Sequence, residues 1–265
     1  MPHEFKRLRH DTKIRTLEVV GLTHVTPKML RVTLGGSELA GFTSPGYGDH
    51  VKIFFSPDPD APVLPVLGPD GLAFPADRPR PEMRDYTPRR FDPEALTLDI
   101  DFVLHGDGPA SGWAAQAQIG QTLVIGGPRG SLIVPDDFDW YLLAGDETAL
   151  PAMSRRLEEL PAGKPVLALL EVAGPEEEQP IVTRADATIH WLHRNGVAAG
   201  MSDLLLRRLE ATPLPQGEGY AFLAGEAGMS RALRAHLVDR CGFEDAHIKA
   251  AGYWVLGEAD AHEPH

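Results

Sequence analysis

A short segment with arginines on both sides of an aromatic residue is the first place where this sequence concentrates chemistry. It reads RDYTPRR and contains Arg84, Tyr86 and Thr87. If the segment is a strand, Arg84 and Tyr86 share a face because side chains repeat every two residues. An arginine binds phosphate, a tyrosine ring packs against a flat heteroaromatic ring, and a threonine offers a hydroxyl or backbone group to the polar edge of that ring. The triplet therefore suits a flavin dinucleotide.

The same residues also have a purely structural explanation. Tyrosine and threonine both favour strands, and arginines keep an exposed edge soluble. Pro88 would then end the strand. An exposed hairpin edge is thus the alternative to a ligand site.

A second group of candidate residues follows the next predicted strand. The segment DFVLHGDGPASGWA, residues 101–114, has a glycine-rich turn, with Ser111 and Trp113 close to a predicted helix start. Backbone amides at a helix start, together with a serine hydroxyl, form an anion site. The two segments together favour a ligand site over a simple hairpin edge.

The composition excludes several classes of protein. The chain has 265 residues, 43% of them hydrophobic, one cysteine and a formal net charge of −13. This length suits two domains, and the negative charge argues against nucleic acid or an anionic membrane as the main partner. One cysteine excludes a disulfide framework and a cysteine-held metal or iron–sulfur site. No signal peptide or run of about 18 apolar residues is recognisable, so we expect a cytoplasmic protein without membrane insertion.

The pattern of predicted elements changes near residue 135. Short strand-like runs separated by turns rich in Gly and Pro come first, at 16–36, 50–56, 95–105 and 121–134. They predict an antiparallel β-barrel over residues 1–136, with a loop between Pro57 and Pro81.

Residues 137–265 show short, nearly continuous apolar strands that alternate with amphipathic helices. The helices are predicted at about 150–160, 202–209 and 229–240. This pattern predicts an open parallel sheet covered on both faces, as in α/β nucleotide-binding domains. A barrel followed by such a domain is one way to build a flavin reductase, although a fold alone does not determine function.

Five motifs occur in an order that resembles a known family. The chain is similar to the siderophore-interacting proteins, flavin-dependent ferric-siderophore reductases distantly related to ferredoxin reductases, from about Val19 to Trp254. The motifs are RDYTPR, DFVLHGDGPASGWA, GGPRGS, GDETALPA and GYW.

This resemblance implies a ferredoxin-reductase-like fold with FAD in the barrel domain, a nicotinamide nucleotide in the α/β domain, and electron transfer to siderophore-bound iron(III). It places Arg84 near the FAD phosphates, Tyr86 against the isoalloxazine and Thr87 near its reactive edge. The other implied cofactor-binding positions are Asp101, Val103, His105, Ala110, Ser111 and Trp113 in the first domain, and Asp146, Thr148, Ala149, Ala224, Gly225 and Glu226 in the second.

One departure from the ferredoxin reductases concerns catalysis. Where those proteins have a Cys-Gly motif, this chain has Ala224, Gly225 and Glu226. Hydride transfer therefore does not rely on a thiol, and no catalytic side chain is predicted, because the cofactor carries the chemistry.

The function that follows is an NAD(P)H-dependent ferric-siderophore reductase that releases iron(II) for cellular iron acquisition. A flavin-containing siderophore-binding protein without turnover and a general flavin or quinone reductase are the alternatives. A ferric siderophore is the expected substrate, and we expect a monomer.

The choice between NADH and NADPH is predicted from the second strand of the α/β domain. That strand ends at Glu171 and leads into Glu176–Glu178, with no lysine or arginine before Arg184. An acid near the adenine ribose favours a free 2′-hydroxyl over a 2′-phosphate, so NADH is the favoured donor. The alternative is that this loop points to solvent and touches no cofactor.

Other residues receive simpler interpretations. His190 and His193 lie three apart on a strand and so face opposite sides, which argues against a metal site. Cys241 is predicted to be a small buried filler at a helix end. Arg129 belongs either to a barrel turn or to a surface that attracts an anionic siderophore.

Overall fold

The structure is a computed structural model that describes residues 3–56, 58, 62–68, 71–106 and 108–258. The chain forms two compact units. One comprises Phe5–Val134, and the other begins at Pro135 and includes His3 and Glu4 from the start of the chain.

The first unit is built from antiparallel strands and one short helix. The strands are β1 (Lys6–Arg9), β2 (Ile14–Thr26), β3 (Met29–Gly35), β4 (Val51–Phe55), β5 (Val66–Gly68), β6 (Gly71–Ala73), β7 (Glu82–Tyr86), β8 (Pro88–Asp92), β9 (Thr97–Val103), β10 (Thr122–Gly126) and β11 (Gly130–Ile133). Helix α1 (Pro109–Ala115) follows β9, and a 3₁₀ turn occupies Ser37–Leu39. The main sheet has the order β7-β4-β10-β2-β3-β9-β8, while β1 pairs with β11 and β5 with β6.

The main sheet curls into a barrel-like shape. Strands β7 and β8 are its two opposite edges, yet only Thr87 separates them in the chain. The edges must therefore come close together, which requires strong curvature. The predicted antiparallel barrel is confirmed, with the gap between its edges bridged by the chain itself.

Alternation of side chains explains why these residues form the barrel. In β9, Leu98, Ile100 and Phe102 are fully buried, and they alternate with the polar Thr97, Asp99 and Asp101. The apolar face joins buried residues of β2, β3, β4 and β10 in one core.

The prediction of a loop between Pro57 and Pro81 was only partly right. Residues 57, 59–61, 69 and 70 lie outside the described residues, but β5 and β6 form a hairpin within this stretch. Gly71 has a φ of 111°, a conformation that glycine adopts readily. These two strands were not predicted because each has only three residues and the surrounding stretch is rich in proline.

The second unit alternates strands with helices. Its elements are β12 (Trp140–Gly145), α2 (Leu150–Glu159), β13 (Pro165–Val172), β14 (Asp186–His193), α3 (Leu204–Glu210), β15 (Gly219–Glu226), α4 (Ala227–Asp239) and β16 (Ile248–Trp254), with 3₁₀ turns at Pro175–Glu177 and Asp245–His247. All pairs in the sheet are parallel, in the order β14-β13-β12-β15-β16. Every residue of β12 and β15 is buried, as expected for a sheet covered on both faces. The predicted parallel sheet is confirmed.

The strand order creates a topological switch point. From β12 the chain moves outward through β13 to β14, then returns to β15 on the other side of β12. Ligands of open α/β sheets bind outside the carboxyl ends of the strands at such a point. Gly145 ends β12 here, and a Cβ on it would collide with the carbonyl oxygen of Ala224 in β15.

The first described residue is docked at the other end of this unit. His3 Nδ1 lies 2.8 Å from Asp137 Oδ1, and its Nε2 lies 3.0 Å from Glu218 Oε2. Its ring stacks on Phe138 with centroids 3.7 Å apart. Burial opposes protonation of this imidazole, but the hydrogen bonds and charges of the two carboxylates raise the pKa of His3 above its usual value.

Helices in the described part of the chain are all too short or too polar to cross a bilayer.

Candidate functional site

An aromatic cluster lies where β7 ends. The Tyr86 ring packs on Phe102 with centroids 4.4 Å apart, and Trp113 of α1 packs on Phe102 at 5.5 Å and on Phe55 at 5.8 Å. Tyr86 remains half-buried rather than enclosed. Burial strongly raises the pKa of the Tyr86 hydroxyl, while the charge of Arg84 lowers it to a smaller extent. The ring therefore stays neutral and can present an aromatic face to a ligand.

Arg84 lies on the same face of β7 as Tyr86, two residues earlier. Its Nη1 donates to the carbonyl oxygen of Met83 at 2.7 Å and to Glu82 Oε2 at 3.3 Å. About a quarter of the side chain is exposed, at 24%. The predicted pairing of a cation with an aromatic ring on one strand face is thus present.

Thr87 connects the two edges of the barrel sheet and is buried, with 8% exposure. Pro88 does not end a strand here, because it is the first residue of β8. A proline is tolerated at the first position of an edge strand, where its missing N–H costs no ladder hydrogen bond. The simple hairpin-edge interpretation therefore misses that this segment joins the barrel's two edges.

Two further arginines meet the carboxylate of Asp101 beside this segment. Arg31 stands directly opposite Asp101 on neighbouring strands and donates to both oxygens, at 2.6 and 2.8 Å. Arg89 Nε lies 3.8 Å from Asp101 Oδ2. The Asp101 side chain is 1% exposed. Its carboxylate therefore holds arginines in place, and its predicted contact with a cofactor stays a prediction.

The turn after β9 is closed by a side chain. The backbone amide of His105 donates to Ser111 Oγ at 2.9 Å, and Ser111 is buried. Helix α1 begins at Pro109 after Gly108, so Ser111 lies in its first turn. Ser111 Oγ already accepts a hydrogen bond from the His105 amide. Only the hydroxyl proton of Ser111 could therefore be donated to a bound anion. Val103 is the last residue of β9, and Asp107 lies outside the described residues.

The first-unit positions form one connected region of the barrel. Val103 ends the strand that carries Phe102, and Ala110 is buried in α1 within the core that Tyr86 and Trp113 contact. The predicted residues from Arg84 to Trp113 therefore lie along β7, the end of β9 and α1.

In the second unit, Asp146 joins three strand ends. Its Oδ1 accepts hydrogen bonds from the amide and hydroxyl of Thr148, and its Oδ2 accepts from the Glu226 amide at 2.8 Å and from Trp254 Nε1 at 2.9 Å. Burial and the neighbouring Glu147 raise the pKa of Asp146, while its hydrogen bonds oppose that shift. The carboxylate fixes the carboxyl ends of β12, β15 and β16 relative to one another.

Small residues let these ends approach. Ala149 and Ala224 are fully buried, and Ala149 donates its amide to the Asp146 carbonyl oxygen at 3.0 Å. Gly225 has a φ of 136°, and a Cβ there would lie 2.5 Å from Asp146 Oδ2. The predicted residues 146, 148, 149 and 224–226 are therefore brought together at the switch point.

Glu226 caps the helix that follows β15. Its carboxylate accepts from the amides of Met229 at 2.7 Å and Leu256 at 3.3 Å. Burial would raise the pKa of Glu226, but backbone hydrogen bonds lower it below its usual value. The Glu226 carboxylate already accepts hydrogen bonds from backbone amides, so its predicted contact with a cofactor stays a prediction.

A buried ion cluster was not predicted from the sequence. Arg194, just after β14, donates to both oxygens of Glu147 at 2.6 Å and approaches Glu171 Oε1 at 3.5 Å. Burial raises the pKa of Glu171, against the effects of a hydrogen bond from Ser202 and the charge of Arg194. Glu171 is 4% exposed. Its carboxylate contacts Arg194 and Ser202, so the proposed contact of Glu171 with a ribose stays a prediction.

Sequence signals for the residues that were missed are limited. Glu147, Glu171 and Arg194 lie at or just after the carboxyl ends of strands of the parallel sheet, a position that marks ligand sites in α/β sheets. Trp254 belongs to the GYW motif, but the motif alone does not indicate its hydrogen bond to Asp146. Arg31 carries no local signal, since its partner Asp101 is seventy positions away.

Two residues that received simpler interpretations are Cys241 and Arg129. Cys241 is exposed, with its Sγ 3.4 Å from His236 Nε2, so its predicted burial was wrong. It lies beyond the end of α4 and is therefore outside the helix face that packs on the sheet. Arg129 is exposed in the turn between β10 and β11, and its carbonyl oxygen accepts from the His10 amide at 3.0 Å. A role in attracting a siderophore stays a prediction.

Among the described residues, no group of three or more His, Cys, Asp or Glu side chains is arranged to hold a metal ion.

Comparison with known proteins places this geometry in a family. Residues 18–132 match the model described as siderophore-interacting FAD-binding domain, and residues 138–257 match the model described as siderophore-interacting protein. The chain is 37% identical to the NADPH-dependent ferric-chelate reductase of Escherichia coli, over 96% of this chain and 97% of that protein. It is 36% identical to ferric vibriobactin reductase of Vibrio cholerae, over 92% and 90%.

Solved structures agree with this result. A siderophore utilization protein from T. fusca is 44% identical, with a TM-score of 0.91 over 97% of this chain and 98% of that chain. A ferredoxin reductase in carbazole 1,9a-dioxygenase is 18% identical and has a TM-score of 0.66 over 92% and 70%, which shows the fold alone.

The chain has a ferredoxin-reductase-like fold, in which a β unit that matches an FAD-binding domain is followed by an α/β unit. The chain belongs to the siderophore-interacting protein family. The predicted family and fold class are confirmed. The predicted enzyme class, an FAD-dependent oxidoreductase, agrees with the names of the two curated relatives.

Proposed function

We propose that this chain is an FAD-dependent ferric-siderophore reductase that takes electrons from NAD(P)H. The observation that carries the proposal is the half-buried Tyr86 ring, backed by Phe102 and flanked on the same strand face by Arg84. Two relatives are named as ferric-chelate and ferric vibriobactin reductases, which supports a siderophore-bound iron(III) substrate.

The barrel residues fit FAD by their chemistry. Tyr86 offers a neutral aromatic face, Arg84 offers a partly exposed guanidinium, and Thr87 follows Tyr86 directly in the chain. FAD, when bound, supplies the ability to accept a hydride pair and to pass electrons singly to iron. The residues hold and orient it, and the acid Asp101 keeps Arg31 and Arg89 fixed nearby.

The α/β unit would receive the nicotinamide nucleotide at its switch point. Asp146 fixes the loop after β12 against the end of β15, so the backbone there is rigid. Ala224 and Gly225 stand where a thiol would be needed for thiol-assisted chemistry, so alignment of the donor is what this unit contributes. No side chain of this unit is proposed to be catalytic.

NADH is proposed as the preferred donor on a narrower basis than the sequence suggested. Glu171 is buried, which leaves Glu176 and Glu178 as the exposed acids beyond β13. Glu178 Oε1 lies 2.8 Å from His193 Nε2 and stays 42% exposed. Negative charge at this edge would repel a 2′-phosphate. The Escherichia coli relative is named NADPH-dependent, so the donor has to be measured.

The remaining parts of the proposal concern the cell. We place the protein in the cytoplasm as a monomer that releases iron(II) for iron acquisition. The single cysteine, which is free and exposed, is compatible with a reducing compartment.

One experiment separates the reductase from its alternatives. The FAD-loaded protein is reduced anaerobically with NADH and mixed with a ferric siderophore in the presence of a ferrous chelator. We expect flavin reoxidation together with coloured iron(II) chelate. Siderophore binding without flavin reoxidation would indicate a carrier, and reoxidation by quinone but not by ferric siderophore would indicate a general reductase.

A further inference from the structure

The segment that follows β14 runs across the carboxyl edge of the parallel sheet. We call residues 194–202 the strap. It has no regular helix or strand and precedes α3, and most of its residues are exposed on their outer side. Its path relative to the switch point is fixed by contacts at both of its ends and near Gly200.

Both ends of the strap meet the same buried carboxylate. Arg194 Nη1 lies 3.5 Å from Glu171 Oε1, and the hydroxyl of Ser202 donates to the Glu171 side chain. The strap is therefore a compact loop whose ends are close together, of the type that forms functional Ω-loops. Arg194 is held further by its two bonds to Glu147, so the base of the strap is firmly anchored.

The body of the strap reaches the opposite side of the sheet. Gly200 packs so closely that a Cβ there would lie 2.8 Å from Trp254 Cη2, 3.2 Å from Glu226 Cγ and 3.4 Å from Leu256 Cδ1. Glu226 and Trp254 end β15 and β16, whereas Glu171 belongs to β13. Because β12 lies between β13 and β15, residues 200–202 pass over the carboxyl end of β12, which is the switch point.

The strap also contains residues suited to a change of conformation. Asn195 and Gly196 have φ angles of 47° and 97° at its start, and Gly200 has 76° near its end. Left-handed turn residues at both ends can absorb the dihedral changes of a hinge. A loop with exposed backbone between such turns opens at lower free energy than the sheet beneath it.

We infer that the strap is a lid over the nicotinamide crevice, and that it moves off Trp254 when NAD(P)H binds. The inference rests on the proposed use of NAD(P)H. The Trp254 side chain donates a hydrogen bond to Asp146, and its ring packs closely against Gly200. A nucleotide that enters at the switch point has to replace the contact between Gly200 and Trp254. Closure of the lid therefore lowers the apparent affinity for the nucleotide.

The test compares two glycine substitutions within the strap. Gly200→Ala places a methyl group against the Trp254 ring and disfavours the closed lid. Gly196→Ala is the matched control, because Gly196 has the same left-handed backbone but nothing within 4 Å of an added Cβ. Affinities of the FAD-loaded full chain for redox-inert tetrahydro analogues of NADH and NADPH are measured by isothermal titration calorimetry.

We expect Gly200→Ala to bind the preferred analogue about three- to tenfold more tightly than Gly196→Ala, because the open population is larger. Equal affinities, or weaker binding by Gly200→Ala, would overturn the lid while leaving NAD(P)H use intact. Absence of binding by the wild type and both variants would reject the proposed donor, and the lid with it.

A second variant covers the case in which Gly200→Ala does not fold. Leu256→Ala removes an apolar side chain whose Cδ1 lies next to Gly200, and it leaves the left-handed backbone of Gly200 unchanged. It is expected to tighten binding in the same direction. Unchanged affinity in Leu256→Ala would then count against the lid.

Discussion

Replacement of Tyr86 by alanine is the most direct test of the barrel site. The ring packs on Phe102 at 4.4 Å and is half-buried, so its other face is the one available to a flavin. Loss of a large aromatic contact with a bound ring costs about 1–3 kcal/mol of binding free energy. At about 1.4 kcal/mol for each factor of ten, the Kd for FAD should rise by about 5- to 150-fold.

Two controls separate binding from stability. Tyr86→Phe keeps the ring, and because the hydroxyl is neutral its loss should change FAD affinity little. Phe91→Ala removes another aromatic residue of the barrel, which packs on Phe42 at 5.0 Å and is not among the residues predicted to bind FAD. It should lower stability without a comparable loss of FAD affinity.

The assay is a titration of flavin-depleted protein with FAD, followed by flavin fluorescence, with the unfolding midpoint of each variant measured in parallel. Unchanged FAD affinity in Tyr86→Ala would remove this residue from the flavin's face. A wild type that binds no flavin at all would reject the reductase proposal.

Three further predictions concern the second unit. Neutralising Glu176 and Glu178 as glutamines should narrow the preference for NADH over NADPH, mainly through KM in steady-state kinetics, and a wild-type preference for NADPH would contradict the argument. Asp146→Asn should lower the free energy of unfolding by about 1–3 kcal/mol, because an amide nitrogen cannot accept from the buried donors, and a wild-type denaturation midpoint would be inconsistent with this role. Since the folded-state pKa of His3 is raised from 6.5, its docking stabilises the protein fully below that pH and loses its effect as pH rises through the folded-state pKa. The difference in unfolding free energy between wild type and His3→Ala should therefore shrink with rising pH, and a constant difference would exclude the linkage.

Much of the fold could be predicted because each strand or helix shows its own periodic pattern of apolar and polar residues. Leu98, Ile100 and Phe102 alternate with polar residues and identify a barrel strand without any knowledge of its partners. Helix boundaries were less accurate where side chains set them. Helix α4 begins at Ala227 rather than near Met229, because Glu226 caps it by accepting the Met229 amide.

Of the candidate site, only residues that lie close together in the chain could be predicted from the sequence. Arg84, Tyr86 and Thr87 are adjacent in the chain, so one segment reveals them together. The pairs Arg31–Asp101 and Arg194–Glu147 join residues that are 70 and 47 positions apart, and strand pairing alone brings them together. Without knowledge of how the strands pair, the sequence cannot show that the carboxylates of Asp101 and Glu171 form ion pairs with arginines.

The ion pairs that strand pairing creates also bear on the two ligands. In the barrel, the carboxylate of Asp101 contacts Arg31 at 2.6 Å and lies 3.8 Å from Arg89, so it holds two arginines beside the proposed flavin site. At the switch point, the carboxylates of Glu147 and Glu171 both contact the guanidinium of Arg194, so two acids meet one base. A ligand rich in phosphate is therefore weakly opposed at this edge of the α/β unit. That suits a nicotinamide donor, which must leave after each turnover.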